Sequence, residues 1–224
     1  MQQVEFPRLK ICGITTLEDA RFAAGAMADY LGFLFYPGSP RYLSPRKAAE
    51  ISGWIEGPEK VGVFVNQNAA EINEIVERVG LDLVQLHGDE SPSMVSDLSV
   101  PVIKAFRIES NPDVKGLKSI MSAWEPHADF FLMDSKGDGG HGGTGKTWDW
   151  GVIRDLVPQR PFFLAGGVAT TNVTHAVRTI RPYAIDLSSS IEDKPGIKDF
   201  EKMQDFFDQW NHLRDESDEL NAGP

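Results

Sequence analysis

Residues 8–14 read RLKICGI, a short apolar run that ends on the chain's single cysteine and a glycine. Next comes TTLEDARFAAGA, with helical spacing and Thr15 or Thr16 available as a cap, so the pair reads as one strand followed by one helix. The same unit recurs along the chain. DYLGFLF, KVGVFV, DLVQLH, VPVIKAF, ADFFLMD, PFFLAG and YAIDLS follow in order, with helix starts predicted at Ser44-Pro45, Asn68, Ser91-Pro92 and Thr171 between them. Most runs are continuously apolar rather than alternating, as expected of strands covered on both faces. Eight strand candidates in 224 residues give about 28 residues per unit, which suits a βα repeat. A doubly wound open sheet also alternates strand and helix, so periodicity alone leaves both architectures open. The count of eight favours closure. The expected fold is α/β, a single (β/α)8 TIM barrel over residues 1–213, with 214–224 (RDESDELNAGP) as a frayed acidic tail.

A hydrophobic fraction of 41% is enough for a substantial core, and one cysteine leaves no internal disulfide and no multi-cysteine zinc site. That usage fits a reducing cytoplasm. The first ten residues, MQQVEFPRLK, lack the apolar segment of a signal peptide. No apolar run approaches the roughly 18 residues needed to span a bilayer. A formal charge of -11 argues against nucleic acid or an anionic membrane as partner. A small anion is still compatible, because backbone amides and a few local cations suffice to hold one.

Polar residues gather where the apolar runs end: Cys12, Arg41, Asn66, Gln85 with His87, Arg107, Asp134, Gly166-Gly167 and Ser188-Ser189-Ser190. In a barrel those ends surround one mouth, where active sites sit. Taken singly, Cys12 reads as a small buried hydrophobe or as a reactive thiol. Asp134 reads equally as a turn cap. The glycine pair and the serine triplet match the place, after the seventh and eighth strands, where barrels often hold phosphate. Gly140 to Thr147 spells a P-loop pattern, G-x-x-x-x-G-K-T. It starts several residues beyond the strand end at Asp134, so it reads instead as a glycine-rich loop that approaches or covers a ligand. The five histidines, His87, His127, His141, His175 and His212, show no metal-ligand spacing.

The ordered set KICGIT (10–15), GFLFYPGSPRY (32–42), VGVFVN (61–66), VQLHGDE (84–90), LMDSK (132–136), GGTGKTWDW (142–150), LAGGV (164–168) and DLSSSIEDKPGIKD (186–199) resembles the phosphoribosylanthranilate isomerases of tryptophan biosynthesis. The resemblance implies a (β/α)8 barrel and an Amadori rearrangement of N-(5'-phosphoribosyl)anthranilate, with no metal, redox step or cofactor. It assigns Cys12 as base, Asp134 as acid and Arg41 as the partner of the anthranilate carboxylate. Gln85 and His87 are further substrate-binding candidates, and the phosphate falls to Gly166, Gly167, Ser189 and Ser190. The expected partner is the small phosphosugar–anthranilate substrate, and the expected assembly a monomer or homodimer. Where the family reads S-S-G-V-E, this chain has Ser188-Ser189-Ser190-Ile191-Glu192. Strain at Ser190 is expected if the family glycine needs a positive φ.

Overall fold

A computed structural model of the chain describes residues 6–135, 150–156 and 158–222. Eight parallel strands close into a barrel: β1 (Arg8–Cys12), β2 (Tyr30–Leu34), β3 (Glu59–Phe64), β4 (Leu83–Leu86), β5 (Val102–Ile108), β6 (Phe130–Ser135), β7 (Phe162–Leu164) and β8 (Ala184–Leu187). They stand in sequence order, and β8 pairs back onto β1 with Arg8 beside Ala184 and Lys10 beside Asp186. The helices are α1 (Leu17–Gly25), α2 (Pro45–Ser52), α3 (Ala69–Val79), α4 (Val114–Trp124), α5 (Gly151–Leu156), α6 (Val173–His175) and α7 (Phe200–Ala222). The (β/α)8 barrel expected from the eight apolar runs is the fold.

Alternation along the strands separates two cores. Inside the barrel, Tyr30, Val61, Leu83, Ile103, Leu132, Phe163 and Ala184 form one apolar cluster. The other strand face packs on the helices, with Leu9, Ile11, Leu31, Phe33, Phe64, Val84 and Phe131 in that cluster. Burial on both faces is why the strand runs read as continuously apolar.

Three predicted helix starts have their caps in place. Thr16, Ser44 and Asn68 accept hydrogen bonds from the backbone amides of Asp19, Lys47 and Glu71, which satisfies otherwise orphaned first-turn donors. Two starts differ. Ser91-Pro92 opens a 3-10 helix, Pro92–Asp97, rather than an α-helix. There the Ser91 hydroxyl accepts from Ser93 N–H and the Ser96 hydroxyl donates to the Ser93 carbonyl, local bonds that compete with α-helical ones. The helix expected from Thr171 begins at Val173, and after His175 it widens into a π-type turn, Ala176–Ile180.

The eight-run reading also missed a hairpin, β9 (Glu192–Lys194) with β10 (Ile197–Lys198), because its sequence is polar and turns on Pro195-Gly196. At the chain's end the expected frayed tail is helical. Helix α7 runs through Arg214 to Ala222, and Arg178 pairs with Glu216 at 2.7 Å. Upstream in α7, fully buried Trp210 meets the Phe6 ring edge-on at 4.8 Å, so this helix packs against the residue two before β1.

Candidate active site

Cys12 is the last residue of β1, inward-facing by the same alternation as Arg8 and Lys10. Its register partner is Gly32 on β2, and the thiol lies directly over that glycine. A Cβ added at Gly32 would stand 2.7 Å from Sγ. The glycine in GFLF therefore makes room for the sulfur. In Gly32→Ala the added Cβ is expected to displace the thiol; if the thiol is a reacting group, kcat falls by about 100-fold, the scale of a small misplacement. Steady-state rates on the folded variant measure this; an unchanged kcat would show that the thiol's position is irrelevant.

One layer below, Lys10 is fully buried and donates to Asp186 Oδ2 at 2.9 Å. The other oxygen, Asp186 Oδ1, is buried and has no hydrogen-bond partner among the described residues. Burial pushes the Cys12 thiol up from its ordinary pKa, and the neighbouring Lys10 ammonium opposes that shift without cancelling it. Burial would lower the Lys10 ammonium, but Asp186 and Cys12 leave it raised. Cys12 thus lies against a buried cation–carboxylate pair.

Asp134 stands near the end of β6, a strand that is not a neighbour of β1 in the closed order. Its carboxylate is 28% exposed, and His87 Nε2 lies 3.4 Å from Oδ2. His87 follows β4, and its Nδ1 meets the Gln85 amide nitrogen at 2.9 Å. With that nitrogen donating, Nδ1 accepts and the imidazole proton sits on Nε2, facing Asp134. Gln85 is 1% exposed, so its amide is a rigid anchor for the ring. Arg107 is the register partner of Asp134 on β5 and keeps its side chain exposed at the mouth.

Asn66 plays a different part. Its side-chain oxygen accepts from Asp89 N–H and its own N–H donates to Glu90. Glu90 in turn pairs with buried Lys104 at 2.7 Å. This frame secures the loop that follows His87 and leaves the Asn66 side chain occupied.

After β7, Gly166 and Gly167 take φ of 73° and 77°, a left-handed pair that side-chain-bearing residues rarely adopt. Asn172 locks the turn, donating to the Gly167 carbonyl at 2.8 Å and accepting from Ala169 N–H at 2.9 Å. Ser189–Ile191 forms a 3-10 turn after β8, in which the Ser190 hydroxyl is buried without a partner among the described residues. Among the described residues, a positive φ outside glycine is confined to Met27, Asn66 and Arg181, so Ser190 does not have one. The expected strain from serine in the family's glycine position is absent.

Arg41 reaches the same rim, but along one edge it is already engaged. Its Nε and Nη2 donate to the two oxygens of Glu192 at 2.8 and 2.6 Å. Lys198 completes this cluster, donating to Glu192 Oε1 at 3.1 Å, to the Cys12 carbonyl at 2.7 Å and to the Ser188 carbonyl at 3.0 Å. The structure thus gathers Cys12, Arg41, Gln85, His87, Asp134, the glycine pair and Ser188–Ser190 on the strands' C-terminal ends. The P-loop-like stretch from Gly140 to Thr147 lies outside the described residues. Among the described residues, no group of three or more His, Cys, Asp or Glu side chains is placed to hold a metal ion.

The model of one protein family, N-(5'-phosphoribosyl)anthranilate (PRA) isomerase, matches residues 9–209. The chain belongs to this family. The PRA isomerase of Pelobacter propionicus is 38% identical over 211 residues, covering 94% of this chain and 98% of the relative. A solved structure of PRA isomerase in complex with reduced 1-(o-carboxyphenylamino)-1-deoxyribulose 5-phosphate superposes with a TM-score of 0.79. It is 34% identical and covers 92% of this chain and 99% of its own. Monomers generated from the dimeric PRA isomerase of Thermotoga maritima give a TM-score of 0.80 at 35% identity, with coverage of 92% and 99%.

Five residues of this PRA isomerase site escaped the sequence reading: Lys10, Asp186, Glu192, Lys198 and Asn172. Lys10 and Asp186 sit inside strand runs, where an isolated charge looks like an outward-facing residue. Their signal was parity. Lys10 is two residues before Cys12 and so shares its inward face. Glu192 and Lys198 come together only through the hairpin, across a turn that strand periodicity does not reveal.

Proposed function

We propose that this PRA isomerase performs the Amadori rearrangement of N-(5'-phosphoribosyl)anthranilate to 1-(2-carboxyphenylamino)-1-deoxyribulose 5-phosphate, with Asp134 as general acid and Cys12 as general base. One observation carries the assignment. The thiol and the carboxylate rise from non-adjacent strands to the same mouth, each beside its own partners: the buried pair Lys10–Asp186 under Cys12, and half-buried His87, anchored by Gln85, beside Asp134. Protonated Asp134 gives its proton to the furanose ring oxygen as the C1'–O4' bond breaks. The anthranilate nitrogen lone pair then forms an iminium ion. The Cys12 thiolate removes the C2' proton, the electron pair neutralises the iminium, and the enolamine forms. Ketonisation moves a proton from the C2' hydroxyl to C1'. Backbone amides of the Gly166-Gly167 turn and of Ser189-Ser190 hold the phosphate. Arg41 meets the anthranilate carboxylate in a charge-assisted contact.

A thiol that must stay reduced suits the cytoplasm, and a monomer or homodimer is the assembly to be decided by sedimentation. No helix among the described residues is long and apolar enough to cross a membrane.

The function is tested by condensing anthranilate with ribose 5-phosphate and following the fall in the adduct's anthranilate fluorescence. Turnover by the wild type is expected. No turnover by well-folded protein would overturn the reading.

A further inference from the structure

The Arg41 guanidinium has five N–H donors, and the Nε–Nη2 edge, the natural fork for a carboxylate, is closed by Glu192. Nη1 has no hydrogen-bond partner among the described residues, and Arg41 as a whole is 9% exposed. A substrate carboxylate therefore meets the remaining end of the guanidinium, whose plane is already set. Glu192 can set that plane because it is itself immobilised. It is 6% exposed, at the start of β9, and takes a third hydrogen bond from Lys198, its register partner on β10. Burial alone would raise the Glu192 carboxyl, but hydrogen bonds from Arg41 and the charge of Lys198 hold it below its usual range. Lys198 then fixes the cluster to the backbone at the ends of β1 and β8 through the Cys12 and Ser188 carbonyls. Thr15 adds a hydroxyl bond to the Gly196 carbonyl at the hairpin turn. The hairpin that the strand count missed therefore acts as a brace between the base strand, the phosphate loop and Arg41.

We propose that Glu192 is a specificity-determining positioning residue: by clamping one edge of Arg41 it makes the site select substrates that carry a carboxylate on the arylamine. The proposal rests on reading Arg41 as the carboxylate's partner. An unclamped arginine would have to lose side-chain freedom on binding, and with it much of the contact's value. The clamp removes that cost before substrate arrives. It gives no advantage to an arylamine without a carboxylate.

Two substrates separate this from a general loosening of the mouth: the anthranilate and the aniline adducts of ribose 5-phosphate. Ketose product is quantified by chromatography. In Glu192→Gln, KM for the anthranilate adduct is expected to rise at least about 10-fold with kcat within about 5-fold, because a neutral amide holds the guanidinium less firmly than a carboxylate does. For the aniline adduct kcat/KM should stay within about 3-fold of wild type, so the ratio between the two substrates collapses. Glu192→Asp keeps the charge but is one methylene short, and should give an intermediate ratio; it also serves if the glutamine variant fails to fold. Equal losses on both substrates in these variants would overturn the Glu192 assignment while leaving the isomerase function intact. A wild type that turns over neither adduct would instead remove the function, and the assignment with it.

Discussion

Asp134→Asn and Cys12→Ala are each expected to lower kcat by at least about 100-fold, the usual scale for losing a general acid or base. The two changes are conservative in space. Asparagine replaces one carboxylate oxygen with an amide nitrogen at a half-open position, and alanine removes a single buried sulfur. Both variants should fold, which circular dichroism and thermal melting check. The losses differ in pH dependence. The reacting form carries the Cys12 thiolate and the protonated Asp134 carboxyl together, so kcat/KM of the wild type should fall at both ends of the pH range. Burial pushes this thiol up against the opposing pull of Lys10, so a rate limited by the thiolate alone should keep climbing above about pH 8.5, the ordinary thiol value. The residual rate of Asp134→Asn, which no longer needs the carboxyl proton, should show that ascending limb, and the residual rate of Cys12→Ala should lack it. Near-wild-type kcat in either variant, or a limb that survives removal of the sulfur, would reject the assigned role.

The fold was legible because barrel strands announce themselves twice, by continuous burial and by recurrence. Cys12, Asp134 and Arg41 were marked as candidates by position at strand ends, and only the family resemblance attached roles to them. The supporting groups were not, for a physical reason. Strand residues face inward or outward by parity alone, and a lysine at an inward position of an apolar run contradicts composition-based intuition. Lys10 is tolerated there only because Asp186 stands beside it in register, and that register exists only once the barrel closes β8 onto β1. The pair is 176 residues apart in sequence. Similarly, Glu192 and Arg41 meet through a hairpin whose polar residues carry no strand signal. Long-range charge pairs are properties of topology, and single-sequence reading does not supply topology in such detail.

That same closure makes Lys10→Met the variant with the largest expected effect on stability, about 3–5 kcal/mol near neutral pH, because it strands a buried carboxylate. Methionine matches the lysine stem in volume, so the loss is electrostatic rather than a cavity. In the wild type, burial already raises the Asp186 carboxyl, with Lys10 opposing; without the ammonium it rises further. A carboxyl raised in the folded state binds more protons folded than unfolded, so its contribution to stability falls as pH increases through that window. The deficit of Lys10→Met relative to wild type should therefore be greatest near neutrality. It should narrow as the pH falls through the raised Asp186 range, where the carboxyl is neutral in both proteins. Urea unfolding at several pH values measures this directly. Adding Asp186→Leu should recover most of the loss, since two apolar residues remove both charges at once. The same single variant reports on chemistry: with its nearby cation gone, Cys12 should be alkylated by iodoacetamide more slowly at every pH below full ionisation. An uncoupled pair, in which the double variant is destabilised by the sum of the two singles, would show that Lys10 and Asp186 do not hold each other. Unchanged alkylation would show that the ammonium does not support the thiolate, and the base would then need another source of stabilisation.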